Sequence, residues 1–271
     1  MSKKDPWKTF FNKEMGHAMF GPISPASTVR EVEQILRAAK LRPKARILDL
    51  GCGVGRHSFE FAKRGFDVVG LDFSKDYLAQ AVRTKKERKT PNVRFVQGDM
   101  RKIDQYFPPA SFGLVICVRD TFGYFEDRKD DKRVLAGIAR ILEPGGALLL
   151  NVSNGSGIEY HWQEQAVRFG YPDVPYWSEY RVGSFYLERF VYDPKLARST
   201  QECIVVEAQG RSVKRCSLEK NIYTHEWFVA TLKALGLKVE KKWGRLGTQR
   251  KFHNRSWQQT FVARKGSVRK S

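Results

Sequence analysis

The stretch from Ala45 to Phe61, Ala-Arg-Ile-Leu-Asp-Leu-Gly-Cys-Gly-Val-Gly-Arg-His-Ser-Phe-Glu-Phe, constrains the fold more than any other part of the chain. Ile47, Leu48 and Leu50 form an apolar run short enough for a buried parallel strand. Gly51, Gly53 and Gly55 then supply a tight turn, and a helical pattern begins at Arg56. A strand, a glycine turn and a helix start build the phosphate or nucleoside cradle of a doubly wound sheet. The order here is Gly-x-Gly-x-Gly preceded by Asp49, not Gly-x-Gly-x-x-Gly. A dinucleotide brings a pyrophosphate to the helix N-terminus, where an acidic neighbour is badly placed. Asp49 suits instead a ligand that carries positive charge, such as an ammonium beside a sulfonium.

Two further acids follow at strand ends. Asp67-Val68-Val69-Gly70-Leu71-Asp72 reads as a second buried strand. Asp72 comes about 20 residues after the turn, the spacing at which a carboxylate bridges a ribose diol. Ser74 suits the cap of the next helix, Lys75 to Arg88, which leaves Asp72 free for a ligand and Phe73 beside a base. A third strand, Val93 to Gln97, runs into Gly98-Asp99-Met100. The fourth, Phe112 to Val118, runs into Arg119-Asp120-Thr121-Phe122-Gly123-Tyr124-Phe125 at the sheet edge where ligands bind. A helix over Asp127 to Leu142, a turn at Glu143-Pro144-Gly145-Gly146 and a fifth strand, Ala147 to Val152, complete the pattern.

Leu48 to Gly55 resembles the first motif of class I S-adenosylmethionine-dependent methyltransferases. The resemblance implies S-adenosylmethionine as cofactor. Its binding candidates are Asp49, Gly51, Cys52, Gly53, Gly55, His57, Asp72, Phe73, Asp99, Met100 and Val118. In that family an acid at the position of Asp99 contacts the adenine amino group, and the next side chain lies against the ring. The loop after the fourth strand resembles small-molecule methyltransferases that carry Ser-Phe-Gly-Tyr-Phe. Asp120 and Thr121 stand where many of those relatives have small uncharged residues, which leaves the substrate open.

From Asn154 the doubly wound pattern stops. Ile158 to Phe169 reads as a short helix, and four β-like runs follow: Tyr176–Val182, Phe185–Tyr192, Thr200–Glu207 and Ser212–Tyr223. Gly183-Ser184, Asp193-Pro194 and Gln209-Gly210 supply their turns. Thr224 caps a last helix, Leu237 to Trp243 is a strand, and Arg255–Arg264 closes the sheet antiparallel. The expected fold is a doubly wound, Rossmann-like α/β seven-stranded sheet with an inserted antiparallel β cap. We expect a helical lid at 1–40, with aromatic Trp7 to Phe20 and a helix near Val29–Ala39. The core spans 41–156 and 224–266, the cap 157–223 and a tail 267–271.

Methyl transfer from a sulfonium is an in-line displacement that needs alignment and exclusion of water, with a base only for a protonated nucleophile. No obligatory catalytic signature is expected. Asp/Asn-Pro-Pro-Tyr/Phe and Pro-Cys are both missing, and Cys117 reads as core. Asp120, Tyr124 and His161 are the catalytic candidates, with Tyr160 beside them; His17 is a further pocket candidate. His225 and Glu226 read as an exposed helix start. No His, Asp or Glu cluster has metal spacing.

The 271 residues allow one large α/β domain with sequence left for a cap. No apolar run approaches the roughly 20 residues of a membrane span, no secretory core is seen, and the four cysteines lack metal spacing. A cytoplasmic protein with no membrane partner is expected. The net charge is +20, and Val205 to Ser271 holds 16 Lys or Arg against four Asp or Glu. Such a bias suits RNA, DNA or an acidic substrate. The leading expectation is methyl transfer to N or O of a small molecule. An RNA methyltransferase that uses the basic C-terminal region, and a non-catalytic cofactor-binding protein, remain as alternatives. A homodimer through the β cap is a further expectation.

Overall fold

The computed structural model describes residues 7–11, 23–169, 174–208 and 213–267. A helical turn, α1 (Trp7–Phe10), and a helix, α2 (Pro25–Ala39), precede the sheet. There follow β1 (Arg46–Leu50), α3 (Arg56–Lys63), β2 (Asp67–Asp72), α4 (Lys75–Glu87) and β3 (Val93–Gln97). A 3-10 turn (Met100–Lys102) leads into α5 (Ile103–Tyr106), β4 (Phe112–Cys117), α6 (Arg128–Ile141) and β5 (Leu142–Ser153). Next come α7 (Gly155–Phe169), β6 (Val174–Arg181), β7 (Ser184–Asp193), β8 (Arg198–Val206) and β9 (Val213–Asn221). The chain ends through α8 (His225–Ala234), β10 (Leu237–Trp243) and β11 (Gln258–Lys265).

Seven strands form one sheet in the order β10-β11-β5-β4-β1-β2-β3. The pairs from β5 through β3 are parallel, and β11 runs antiparallel to both β5 and β10. Successive strand side chains point to opposite faces, so each face gathers its own core. Leu48, Leu50, Val69, Leu71, Val115 and Leu150 meet Val134, Leu135 and Ile138 of α6 with Phe228 and Leu232 of α8. Ile47, Val68, Leu114, Ile116 and Leu149 meet Val32 and Ile35 of α2 with Phe59 and Ala62 of α3. The expected doubly wound, seven-stranded arrangement is the one observed.

The second sheet is an antiparallel meander, β6-β7-β8-β9. Tyr186, Cys203, Val205 and Leu218 point from it into the core that also holds Trp7, Phe10, Phe122 and Phe125. Its last strand is tied down by Asn221, whose N–H donates to the Gly123 carbonyl (2.7 Å) and whose Nδ2 reaches Phe125 O (2.7 Å) and Asp131 Oδ2 (2.8 Å). The expected helix from Ile158 begins earlier, at Gly155, and the closing strand begins at Gln258 rather than Arg255. Glu143–Gly146 does not form a separate turn. It lies within β5, where the β4 register shifts and Gly145 takes φ 77°.

Ser24, Ser74, Asp127 and Thr224 cap α2, α4, α6 and α8, each with a side-chain oxygen accepting from a first-turn N–H. No helix among the described residues is long and apolar enough to cross a membrane. His17 lies outside the described residues, as does part of the expected Trp7–Phe20 lid.

Candidate active site

A cavity opens where β1, β2, β3 and β4 end, the edge at which a doubly wound sheet binds ligands. The glycine turn after β1 contributes Gly51, Cys52, Gly53 and Val54 to its wall. Gly51 has φ 72°, and a Cβ there would lie 2.1 Å from Thr121 Cγ2, so only glycine lets the turn and the β4 loop approach. Gly55 has φ 80° and starts α3 from beneath, outside the lining.

The two strand-end acids of the first turn are held differently. Asp49 is buried and accepts from Ser58 Oγ at 2.6 Å, and burial pushes its carboxyl above the usual range. Asp72 Oδ2 accepts from Gly53 N (2.8 Å), and Oδ1 from Ser74 N (2.9 Å). Burial pushes Asp72 up to about 6, against the downward pull of these N–H groups. A ligand that brings a cation to Asp49 and hydroxyl donors to Asp72 would favour the ionised form of both. Asp99 also borders the cavity, but its carboxylate is already engaged. Arg101 grips both of its oxygens (2.9 and 2.6 Å to Oδ2, 3.1 Å to Oδ1) and also reaches Asp130 at 3.2 Å.

The remaining walls are aromatic and apolar. Trp7 and Phe11 come from the N-terminus, Phe73 and Met100 from the ends of β2 and β3, Val118, Tyr124 and Phe125 from the β4 loop. Their rings pack edge to face: Trp7 on Phe73 at 4.5 Å, Trp7 on Phe125 at 5.7 Å and Phe11 on Tyr124 at 5.4 Å.

One charged cluster beside the cavity escaped the sequence reading. Glu31, in α2, is 2% exposed, accepts from His57 Nε2 (2.7 Å) and Arg56 (3.1 Å), and forms an ion pair with Arg119 (3.3 Å). Burial raises Glu31, but the His57 hydrogen bond and the Arg119 and Arg56 charges win and hold it down to about 2. Burial keeps His57 below its usual range. Arg56, His57 and Arg119 line the cavity, so Glu31 sets their positions from behind. Its position was readable: Thr28, Glu31, Val32 and Ile35 share one buried helical stripe.

The three catalytic candidates part company. Tyr124 lines the cavity, and burial with Asp120 nearby raises its phenol well above the ordinary range. Asp120 is turned away from the lining. It accepts from Ser153 N and Oγ (both 2.6 Å) and pairs with Lys220 of β9, so it anchors the loop instead. His161 is far from these groups by its contacts: Nε2 bonds the Arg255 carbonyl (2.8 Å), and the ring stacks on Trp257 at 4.3 Å. Tyr160 lies beside it, under the Arg255 guanidinium at 4.4 Å. His225 is buried rather than exposed, its ring against Phe252 and Phe261, because Nδ1 finds Gln259 Oε1 at 3.1 Å. Among the described residues no cluster of His, Cys, Asp and Glu has a metal-binding arrangement.

Residues 47–146 match the model of a methyltransferase-domain family. Over that stretch the chain is similar to the class I S-adenosylmethionine-dependent methyltransferases, the family its motifs resemble. The cofactor of that family is S-adenosylmethionine, and the cavity fits it: a buried acid for its ammonium, a second for its ribose, and a glycine turn that a Cβ would fill. The chain is 31% identical over 141 residues to a glycine/sarcosine N-methyltransferase of Halorhodospira halochloris, covering 52% of each chain. It spans about half the length of the curated relatives it matches. The CcbJ methyltransferase of Streptomyces caelestis shares the fold at TM-score 0.77 and 17% identity, over 98% of this chain and 100% of that one. CalS10, an amino pentose methyltransferase from Micromonospora echinaspora solved with S-adenosylmethionine bound, aligns at TM-score 0.62 and 25% identity, over 90% and 92%.

Proposed function

We propose that this protein transfers the methyl group of S-adenosylmethionine to a nitrogen or oxygen of a small molecule. The observation that carries this reading is the cavity itself: acids and a glycine turn on one wall, packed aromatic rings on the other. Trp7, Phe11, Tyr124 and Phe125 exclude water, which favours a displacement between groups held in line. The similarity to a glycine/sarcosine N-methyltransferase supports nitrogen as the acceptor.

When bound, S-adenosylmethionine supplies a methyl group on a sulfonium that departs as a neutral thioether. The protein's own residues bind and orient. Asp72 accepts hydroxyl hydrogens while its Gly53 contact keeps the turn closed against β2. Asp49, fixed by Ser58, offers a carboxylate to an ammonium. Arg56 and Arg119, set by Glu31, bring positive charge to the same wall. Tyr124 stays protonated and donates a hydrogen bond rather than taking a proton. His57 stays neutral with Nε2 on Glu31. With no side chain among the described residues poised as a base on the aromatic wall, an amine acceptor reacts in its unprotonated form. The rate is therefore expected to rise with pH along the acceptor's own titration, as a pH profile on two amines of different basicity would show.

The test is transfer of a labelled methyl group to a panel of amines and hydroxyl compounds. Label on an acceptor nitrogen or oxygen is expected, lost in Asp49→Ala and Asp72→Ala variants that keep their circular dichroism. Cofactor binding without transfer to any acceptor would favour the non-catalytic alternative and count against the proposal.

A further inference from the structure

A second concave surface lies at the same edge of the large sheet, between α2, the end of β10 and the segment from Thr248 to Phe252. Five cations line it: Arg37, Lys241, Lys242, Arg250 and Lys251. No carboxylate does. All five are exposed, and none is ion-paired among the described residues. Glu240, the acid nearest in sequence, points to Arg264 at 2.9 Å. Like charges gathered with little counter-charge, Glu226 at the start of α8 lying near Lys242 alone of the five, repel and weaken the compact state.

The groove is built rather than loose. Gln34 of α2 clamps its far wall twice, with Nε2 donating to Thr248 O (2.6 Å) and Oε1 accepting from Gly247 N (2.7 Å). Two aromatic rings, Trp243 and Phe252, each follow a pair of these cations in the chain, and Lys242 Nζ lies 4.9 Å from the Phe252 centroid. The groove also adjoins the active site. Because β10 and β5 are both antiparallel to β11, Trp243 ends at the ligand-binding edge. Gly247 packs so closely on Glu31 that a Cβ would lie 2.9 Å from Glu31 Cγ. Glu31 in turn holds Arg56 and Arg119 on the cavity wall.

We propose that this groove holds the phosphodiester backbone of a single-stranded nucleic acid alongside the mouth of the methyltransferase cavity. Successive phosphates match a groove lined by exposed Lys and Arg, and unstacked bases match the aromatic rings among them. A duplex hides its bases and gains nothing from Trp243 and Phe252.

The test needs neither cofactor nor turnover, so it stands or falls apart from the catalytic proposal. Fluorescence anisotropy would follow a single-stranded RNA oligonucleotide across a salt series. Five phosphate contacts predict a log–log salt slope of about −3.5. Replacing three groove cations (Lys241→Gln, Lys242→Gln, Lys251→Gln) is expected to weaken binding roughly tenfold or more and to flatten the slope by about 2. The control removes three charges from α4 (Lys75→Gln, Arg83→Gln, Lys86→Gln), which packs on β3 at the opposite edge of the sheet. That variant is expected to bind like the parent. Equal losses in the two variants, duplex bound as tightly as the single strand, or no binding at about 50 mM salt would each overturn the proposal.

Discussion

Asp72 and Asp131 keep their protons at a pH where free aspartates have lost them, each pushed up to about 6 by burial. Asp131 accepts from Tyr223 OH (2.7 Å) and Asn221 Nδ2 (2.8 Å) on one oxygen, while its Oδ1 has no partner. The folded carboxyl titrates above the unfolded one, so it stabilises the fold fully below about pH 4 and loses that contribution as pH rises through about 6. For Asp131 the loss is about 3 kcal/mol. Denaturant unfolding of the parent and of Asp131→Asn should therefore diverge in the variant's favour between pH 4 and pH 7; parallel curves would contradict the assignment. Gly51→Ala carries a different cost. Its Cβ meets Thr121 and its φ of 72° disfavours alanine, so stability should fall by more than about 1 kcal/mol, with cofactor affinity reduced, in calorimetry.

At this scale the sequence was legible where chemistry and chain spacing coincide. Asp49, Asp72 and the glycine turn sit at fixed distances along the chain, and all but Gly55 reach the cavity wall. Contacts between distant segments leave no such spacing. Nothing local says that Arg101 would occupy both oxygens of Asp99, or that Lys220 would draw Asp120 out of the cavity's reach.

Among the elements, the loop after β4 depends on the inserted sheet. Arg119 and Asp120 both have positive φ, 59° and 66°, an unfavourable pair for residues with a Cβ. Asn151 holds the turn, accepting from Arg119 N on Oδ1 and from Asp120 N on its carbonyl (both 3.1 Å). Lys220 of β9 adds the second hold, pairing with Asp120 and donating to Ser153 Oγ at 3.1 Å. This pair links the antiparallel sheet to the loop that lines the site. Lys220→Met is expected to lower turnover on the order of 10- to 100-fold while changing S-adenosylmethionine affinity little, because it shifts Tyr124 and not the acids. Steady-state rates beside binding titrations would separate the two. The strands of the insertion were readable from their alternation and turn residues. Their anchoring was not, although Leu218 and Lys220 share the inward face of β9, an uncommon place for lysine.

For the whole molecule, the chain order of strands and helices is enough to dictate a doubly wound sheet, since right-handed crossovers leave few alternatives. Function is less constrained by that order. The fold sets an edge where ligands bind, and the residues at that edge decide which ligand. Here the edge carries two surfaces of opposite character, an acid-lined aromatic cavity and a groove lined by five exposed cations. Composition revealed the +20 charge but not the groove where five of its cations meet, because Arg37 and Lys251 are brought together only by folding. The central claim is that the cavity is shaped for a cationic sulfur nucleoside rather than a dinucleotide. Calorimetric titration with S-adenosylmethionine, with S-adenosylhomocysteine and with a nicotinamide dinucleotide tests it most directly. Binding of both sulfur nucleosides, abolished by Asp72→Ala, with no heat from the dinucleotide, is the predicted result. Silence from both sulfur nucleosides, or a dinucleotide bound as tightly, would contradict it.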